Sequence, residues 1–199
     1  MNSSYIDKAK STLFEKLLLV PKYKEMLDGL NEGDLSHNGD HLIRVRNMAL
    51  SIGKSEKADL DVLEAAALLH DIGRELEDKL IIKDHAVYSA DLAREILPGL
   101  GFKSDTIEKV YDIILNHRHS KEVVARSLED KIIQDADHLD KLGAIDVPRV
   151  VASSIQSDKY RRPIFDDDGQ DIPVSISEQE KNKSAIHYMI YKLEHPKLQ

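Results

Sequence analysis

The pair His70-Asp71 closes the apolar stretch VLEAAALLHDIG, behind Val62, Ala66 and Leu69 and just ahead of Ile72-Gly73. Two hydrophilic side chains at the end of a buried helix are costly unless something pairs with them, because a polar or charged group in an apolar setting loses its hydration. A metal ion would serve as that partner; the alternative is that His70 caps its helix and Asp71 faces water. Three more histidines repeat the placement. His41 begins an apolar helix face, His85 opens the helix of Tyr88, Leu92 and Ile96, and His117 extends the face of Ile107, Val110 and Ile114. Each alone could be a core histidine with a satisfied ring. Together, four imidazoles near helix ends and on apolar sides make a poor core but a good inner shell for cations. Neutral imidazole suits Zn, Mn, Fe, Co or Ni, and mixed nitrogen and oxygen ligation suits Mn or Fe rather than Ca. His37 reads as a loop residue and His138 as part of a polar strip, so neither joins the set.

These side chains have to be positioned by helices, since apolar residues recur at helical spacing nearly throughout. The spacing predicts a first helix over 4–29 (Ile6, Ala9, Leu13, Leu17, Leu18), then a polar loop from Asn31 to Asn38. A second helix runs from His41 to Ile52, with Lys54–Ala58 as a loop. Asp59 or Asp61 can cap a third, Leu60–His70, whose Ala65-Ala66-Ala67 run suits close packing and which Gly73 closes. Further helices are expected over Asp84–Leu97, ended by Pro98-Gly99, over Thr106–Asn116 with Ser104 as cap, over Leu128–Leu142 and over Ser184–Leu193. Residues 156–180 change character. Arg161-Arg162-Pro163 and Asp166-Asp167-Asp168-Gly169 read as an irregular segment or a small hairpin. The acidic run lacks the alternating pattern of a calcium loop. With no convincing strand period, the expectation is an all-α helical bundle. One domain over 1–199 is expected, with its core at about 30–150 and an appendage over 156–199.

Composition narrows the choice of partners. The net charge is −8, and no basic stripe offers itself to a nucleic-acid backbone. A phosphorylated small molecule remains open to an acidic protein that places a few cations or metal ions. Cysteine is absent, which excludes disulfides, thiolate zinc sites and cysteine nucleophiles. No apolar run approaches the roughly 18 residues that cross a bilayer, and MNSSYIDKAK lacks a signal-peptide core, so no membrane partner is expected and the cytoplasm is the expected location.

His41 in HLIRV, His70-Asp71 in LLHDIG and an aspartate in QDADHLDKLGAID follow the order and spacing of the HD superfamily of metal-dependent phosphohydrolases, which the chain resembles over roughly residues 30–150. His85 in DHAVYSA and His117 in IILNHRH resemble the two extra histidines of members that hold two ions. The DADHLDKLGAI stretch is similar to small stand-alone HD hydrolases, some of which act on nucleoside triphosphates. The resemblance implies an HD-domain helical bundle whose metal ligands are His41, His70, Asp71, His85, His117 and Asp137. These would hold one or two divalent ions (Mn, Fe, Co, Ni, Zn or Mg). Asp71 would bridge a pair about 3.5–4 Å apart, and a water activated there would attack phosphorus. With one ion, His85 and His117 would instead face substrate or move protons.

Asp135 is the alternative to Asp137, because helical spacing puts it on the face of Leu128, Ile132, Leu139 and Leu142. His119 is the alternative to His117, two residues further along and so on nearly the opposite side. Arg44, Arg74 and Lys141 are the cations placed to meet a substrate phosphate, and Asp71 and Arg74 carry the expected catalytic roles. The expected substrate is a phosphorylated small molecule, above all a nucleotide. A nucleotide-sensing module without turnover, a helical domain with structural histidines and a di-iron HD oxygenase are the competing classes.

Overall fold

The computed structural model describes residues 12–32, 38–118, 124–142, 146–156, 161–166 and 175–196, and no strand occurs among them. Their helices are α1 (Thr12–Leu18), α2 (Pro21–Glu32), α3 (Gly39–Glu56), α4 (Leu60–Leu69), α5 (Arg74–Asp78), α6 (His85–Ile96), a 3₁₀ turn (Pro98–Leu100), α7 (Ser104–Asn116), α8 (Leu128–Leu139), α9 (Asp146–Gln156) and α10 (Ala185–Glu194). The all-α expectation holds.

Helix α4 is the hub. Val62, Leu63 and Ala65 to Leu69 are all buried, and the helix packs against α1, α3, α6, α7 and α8. The three alanines let neighbours close in from several sides, and dense packing of such a helix leaves no room for larger side chains. Asp59 is its cap, accepting from the Val62 N–H at 3.3 Å. Helix α3 lies close to α4 because Gly53 brings no side chain to the contact: a Cβ there would stand 2.2 Å from Leu63 Cδ1.

Several boundaries differ from the sequence reading, each for a local reason. The stretch predicted as one helix over 4–29 is divided, with residues 1–11 outside the described residues, because Pro21 lacks the N–H that would continue α1 and instead starts α2. The predicted loop Lys54–Ala58 is helical through Glu56 and ends on Lys57, whose φ of 61° is left-handed. Gly73 does not close α4; His70 to Gly73 form a turn that feeds the short helix α5. Ser104 is inside α7 and Lys103 stands at the cap position. Helix α8 stops at Leu139 rather than Leu142. Helix α9 was not predicted, although Pro148 sits in its first turn, where a missing N–H costs nothing. In the segment predicted as irregular or hairpin, residues 161–166 and 175–180 contain no strand, and Asp167-Asp168-Gly169 lie outside the described residues. Ser184 caps α10, accepting from His187 N–H at 3.2 Å.

Candidate metal centre

Five helices deliver the predicted ligands to one buried place. His70 and His117 stand at the C-caps of α4 and α7, and Asp137 lies in the last turn of α8. His41 is in the first turn of α3, His85 is the first residue of α6, and Asp71 occupies the turn after α4. His41, His70, Asp71, His85, His117 and Asp137 are all between 0% and 3% exposed, so each must find partners within the protein.

All four imidazoles are held by Nδ1. His70 Nδ1 donates to the Ala67 carbonyl at 2.9 Å and His117 Nδ1 to the Ile114 carbonyl at 2.6 Å. His41 Nδ1 lies 2.7 Å from Asp140 Oδ2, and His85 Nδ1 lies 2.5 Å from Glu77 Oε2. A carbonyl or carboxylate oxygen can only accept, so Nδ1 carries a proton in each ring, and in the neutral, ligating form the Nε2 lone pair is turned inward. The pattern has a geometric origin. A histidine at a helix C-terminus reaches back to a carbonyl three residues earlier, whose helical partner is missing there. A histidine at a helix start has no such carbonyl, and both of these borrow a carboxylate.

The inward atoms form two groups that share Asp71. In one, His41 Nε2 is 3.7 Å from Asp71 Oδ2 and 3.4 Å from Asp137 Oδ1, while His70 Nε2 is 3.8 Å from each of the same two oxygens. In the other, Asp71 Oδ1 is 2.9 Å from His85 Nε2 and 3.3 Å from His117 Nε2, and those two nitrogens are 3.4 Å apart. His70 Nε2, Asp137 Oδ1 and Asp71 Oδ1 are buried without a hydrogen-bond partner. Asp71 Oδ1 is near His85 Nε2, which in the neutral ring, with its proton on Nδ1, offers a lone pair and not a proton. Buried acceptors facing one another across 3–4 Å are mutually repulsive, and a divalent cation converts that repulsion into ligation. The donor set therefore fits one or two such ions: neutral imidazoles and carboxylates, with spacing that suits metal–nitrogen bonds of about 2.0–2.1 Å.

Charge agrees with this. Burial alone would raise the carboxyls of Asp71 and Asp137. His85 and His70 beside the first, and Lys141 and His41 beside the second, outweigh it and hold both well below the usual carboxylate range. Burial pushes His70 down to about 4, so its ring is neutral. Burial also opposes charge on His41 and His85, but the carboxylates of Asp137, Asp140 and Asp71 around the first, and Asp71 and Glu77 around the second, raise both. Helices α4, α7 and α8 also point their carboxyl ends, capped by His70, His117 and Asp140, at the cluster.

Each of the expected substrate cations has a carboxylate partner. Arg44 Nε donates to Asp140 Oδ1 at 2.6 Å and its Nη2 to Oδ2 at 3.0 Å, so the guanidinium serves a carboxylate behind His41. Lys141 Nζ donates to Asp137 Oδ2 at 2.6 Å. Arg74, 9% exposed, opens α5 just after the turn that carries Asp71, with Nε 3.4 Å from Asp78 Oδ2. Asp135 is half-buried and outside the donor groups. Its supposed apolar face is split: Ile132 is buried, whereas Leu128 is 41% and Leu139 37% exposed. His119 lies outside the described residues. Sequence reasoning missed the supporting carboxylates Asp140 and Glu77 and the cations behind them. Arg118 Nη1 donates to Glu77 Oε2 at 3.1 Å and to Asp84 Oδ1 at 3.0 Å, and Arg149 joins Asp140. An acid eight residues before His85 was the one available signal for Glu77.

Residues 38–142 match the HD domain family, and the chain belongs to it. YpgQ of Bacillus subtilis (strain 168), itself uncharacterized, is 34% identical over 125 residues, which make up 60% of this chain; the chain spans 58% of the length of that relative. A crystal structure of YpgQ in complex with ADP shares the fold, with a TM-score of 0.54 at 24% identity over 86% of this chain and 80% of that one. A predicted HD superfamily hydrolase from an uncultured Thermotogales bacterium is 36% identical with a TM-score of 0.54, covering 71% of this chain and 80% of its own. A protein of Lactobacillus plantarum is 26% identical with a TM-score of 0.60, covering 90% and 82%. The neighbours support a hydrolase class, and the His and Asp cluster suits divalent metal. No helix among the described residues is long and apolar enough to cross a membrane.

Proposed function

We propose that the protein is a metal-dependent phosphohydrolase acting on a nucleotide or a related phosphoester or phosphoanhydride. The observation that carries this reading is the buried cluster of His41, His70, Asp71, His85, His117 and Asp137, whose inward atoms are acceptors facing acceptors. His41, His70, Asp71 and Asp137 would hold one ion and Asp71, His85 and His117 the other. Ions held there would lower the pKa of a bound water towards about 7 and neutralise a phosphate oxygen. The chain's own residues do the rest. Asp71 joins the two halves through its two oxygens, and the Nδ1 bonds hold four rings in place. Arg74, next to the Asp71 turn, is the cation assigned to the substrate phosphate. Arg44 and Lys141 also hold Asp140 and Asp137. The complex of YpgQ with ADP supports a nucleoside polyphosphate as the ligand class.

The test is a panel of nucleoside mono-, di- and triphosphates assayed with Mn²⁺, Co²⁺ or Fe²⁺, reading phosphate against pyrophosphate release. Turnover should appear with metal, vanish with chelator and be lost in Asp71→Ala while helicity is retained. Metal-dependent binding of ADP without release of either product from any member of the panel would make the protein a sensor. A fully active Asp71→Ala would overturn the mechanism.

A further inference from the structure

The family match ends at residue 142, yet one corner of the cluster is supported by Arg149, which lies beyond it. Asp140, at the C-cap of α8 and 3% exposed, receives His41 Nδ1 at 2.7 Å. Two guanidinium groups take the rest of that carboxylate. Arg44 forks onto both oxygens from α3, one turn after His41. Arg149, from α9 and 6% exposed, donates through Nη1 to Asp140 Oδ2 and to the Asp140 backbone carbonyl at 3.0 Å. Helix α9 is in turn tied to α10, because Lys192 Nζ lies 2.7 Å from each carboxylate oxygen of Asp146.

We propose that Asp140, clamped between Arg44 and Arg149, is a positioning residue that aims the His41 ring at the metal, and that the segment after residue 142 thereby completes the site. The inference rests on the metal reading above. Its reason is the location of His41 near a helix start, where no carbonyl of its own helix can hold Nδ1 as Ala67 and Ile114 do for His70 and His117. An acceptor from elsewhere has to fix the tautomer, and Asp140 is that acceptor. A buried carboxylate with a single partner would be unstable and free to rotate. With both oxygens bound on two sides it has one orientation, and the imidazole inherits it. A fold-stabilising ion pair would have no need of the histidine, whereas here the carboxylate stands between the cations and the ring.

The experiment is Co²⁺ titration of the full-length, metal-stripped protein, followed calorimetrically and by visible absorption. Asp140→Ala should weaken the affected Co²⁺ site about 10–100-fold. Arg149→Ala should weaken it by a smaller factor, since Arg44 remains, and Arg149→Lys should recover most of that loss. The decisive readout is a double-mutant cycle. In a His41→Ala background, adding Asp140→Ala should change Co²⁺ affinity no further, because Asp140 acts through the ring. Losses that simply add would mean a structural role and overturn the inference. Circular dichroism checks the fold; if Asp140→Ala does not fold, Arg149→Ala in the same cycle carries the test. A parent protein that binds no Co²⁺ would instead sink the metal reading, whereas a parent that binds Co²⁺ as tightly as Asp140→Ala sinks only this inference.

Discussion

A proton and a metal ion compete for the same Nε2 lone pair, so the charge state of each ring bears on when the site can load. His70 is neutral down to about 4 and offers its nitrogen at any ordinary pH. His41 and His85 are raised, despite burial, by the carboxylates around them and must shed a proton before they can ligate. Asp71 and Asp137 stay ionised throughout and add no dependence. The sign follows: loading releases protons, so Co²⁺ affinity should fall as pH drops through the raised histidine values and level off above them. Calorimetric titration over a series of pH values measures it, and a flat profile would show that neither ring changes charge on loading. At this scale the sequence was informative where a polar residue interrupts an apolar pattern, as at His70-Asp71. It is ambiguous at Asp135 and Asp137, because the Asp135 face carries buried Ile132 together with exposed Leu128 and Leu139. It was silent about Asp140 and Arg149, whose value depends on which helix end they meet and not on their neighbours in order.

Among elements, the turn His70 to Gly73 has the tightest tolerance. Gly73 N–H donates to Ser89 Oγ at 3.1 Å, and a Cβ at Gly73 would come 2.7 Å from Tyr88 Cδ1 and 3.3 Å from Ser89 Oγ. That contact sets the distance between the Asp71 turn and α6, the helix that begins with His85. Gly73→Ala should therefore push α6 outward, at a cost of about 1–3 kcal/mol and with selective weakening of the ion bound by His85 and His117. Thermal melting and Co²⁺ stoichiometry check it; an unchanged stoichiometry would mean that α6 does not move as a unit. The glycine was visible in the sequence, but as a helix stop. Its actual use is a close approach by a helix twelve residues further on, which no local pattern encodes. Helices with clean apolar periods and good caps, such as α4 behind Asp59, were legible. Helix α9 was not, since Pro148 reads as a breaker unless the helix start is known.

At the scale of the whole molecule, the ligands come from α3, the α4 turn, α6, α7 and α8, so the site exists only when those helices are assembled. Binding to the folded form alone stabilises by about 2.7 kcal/mol at a free concentration one hundred times Kd, which is about 5–10 °C of melting temperature for a chain of this size. Excess Co²⁺ should produce such a rise and chelator should abolish it. The three helix carboxyl ends that meet at the cluster extend this to the order of events. Each contributes about half a negative charge on top of two carboxylates, the reverse of the helix amino ends on which proteins usually seat phosphate. The amino ends of α3 and α6 do not redress the balance, because Asn38, Glu77 and Asp84 already occupy their leading N–H groups. A polyphosphate approaching the cluster without cations should therefore be repelled. ADP alone should leave the melting temperature where it was and raise it only once Co²⁺ is in place, so that cation first, nucleotide second becomes a rule of entry written in the direction of three helices.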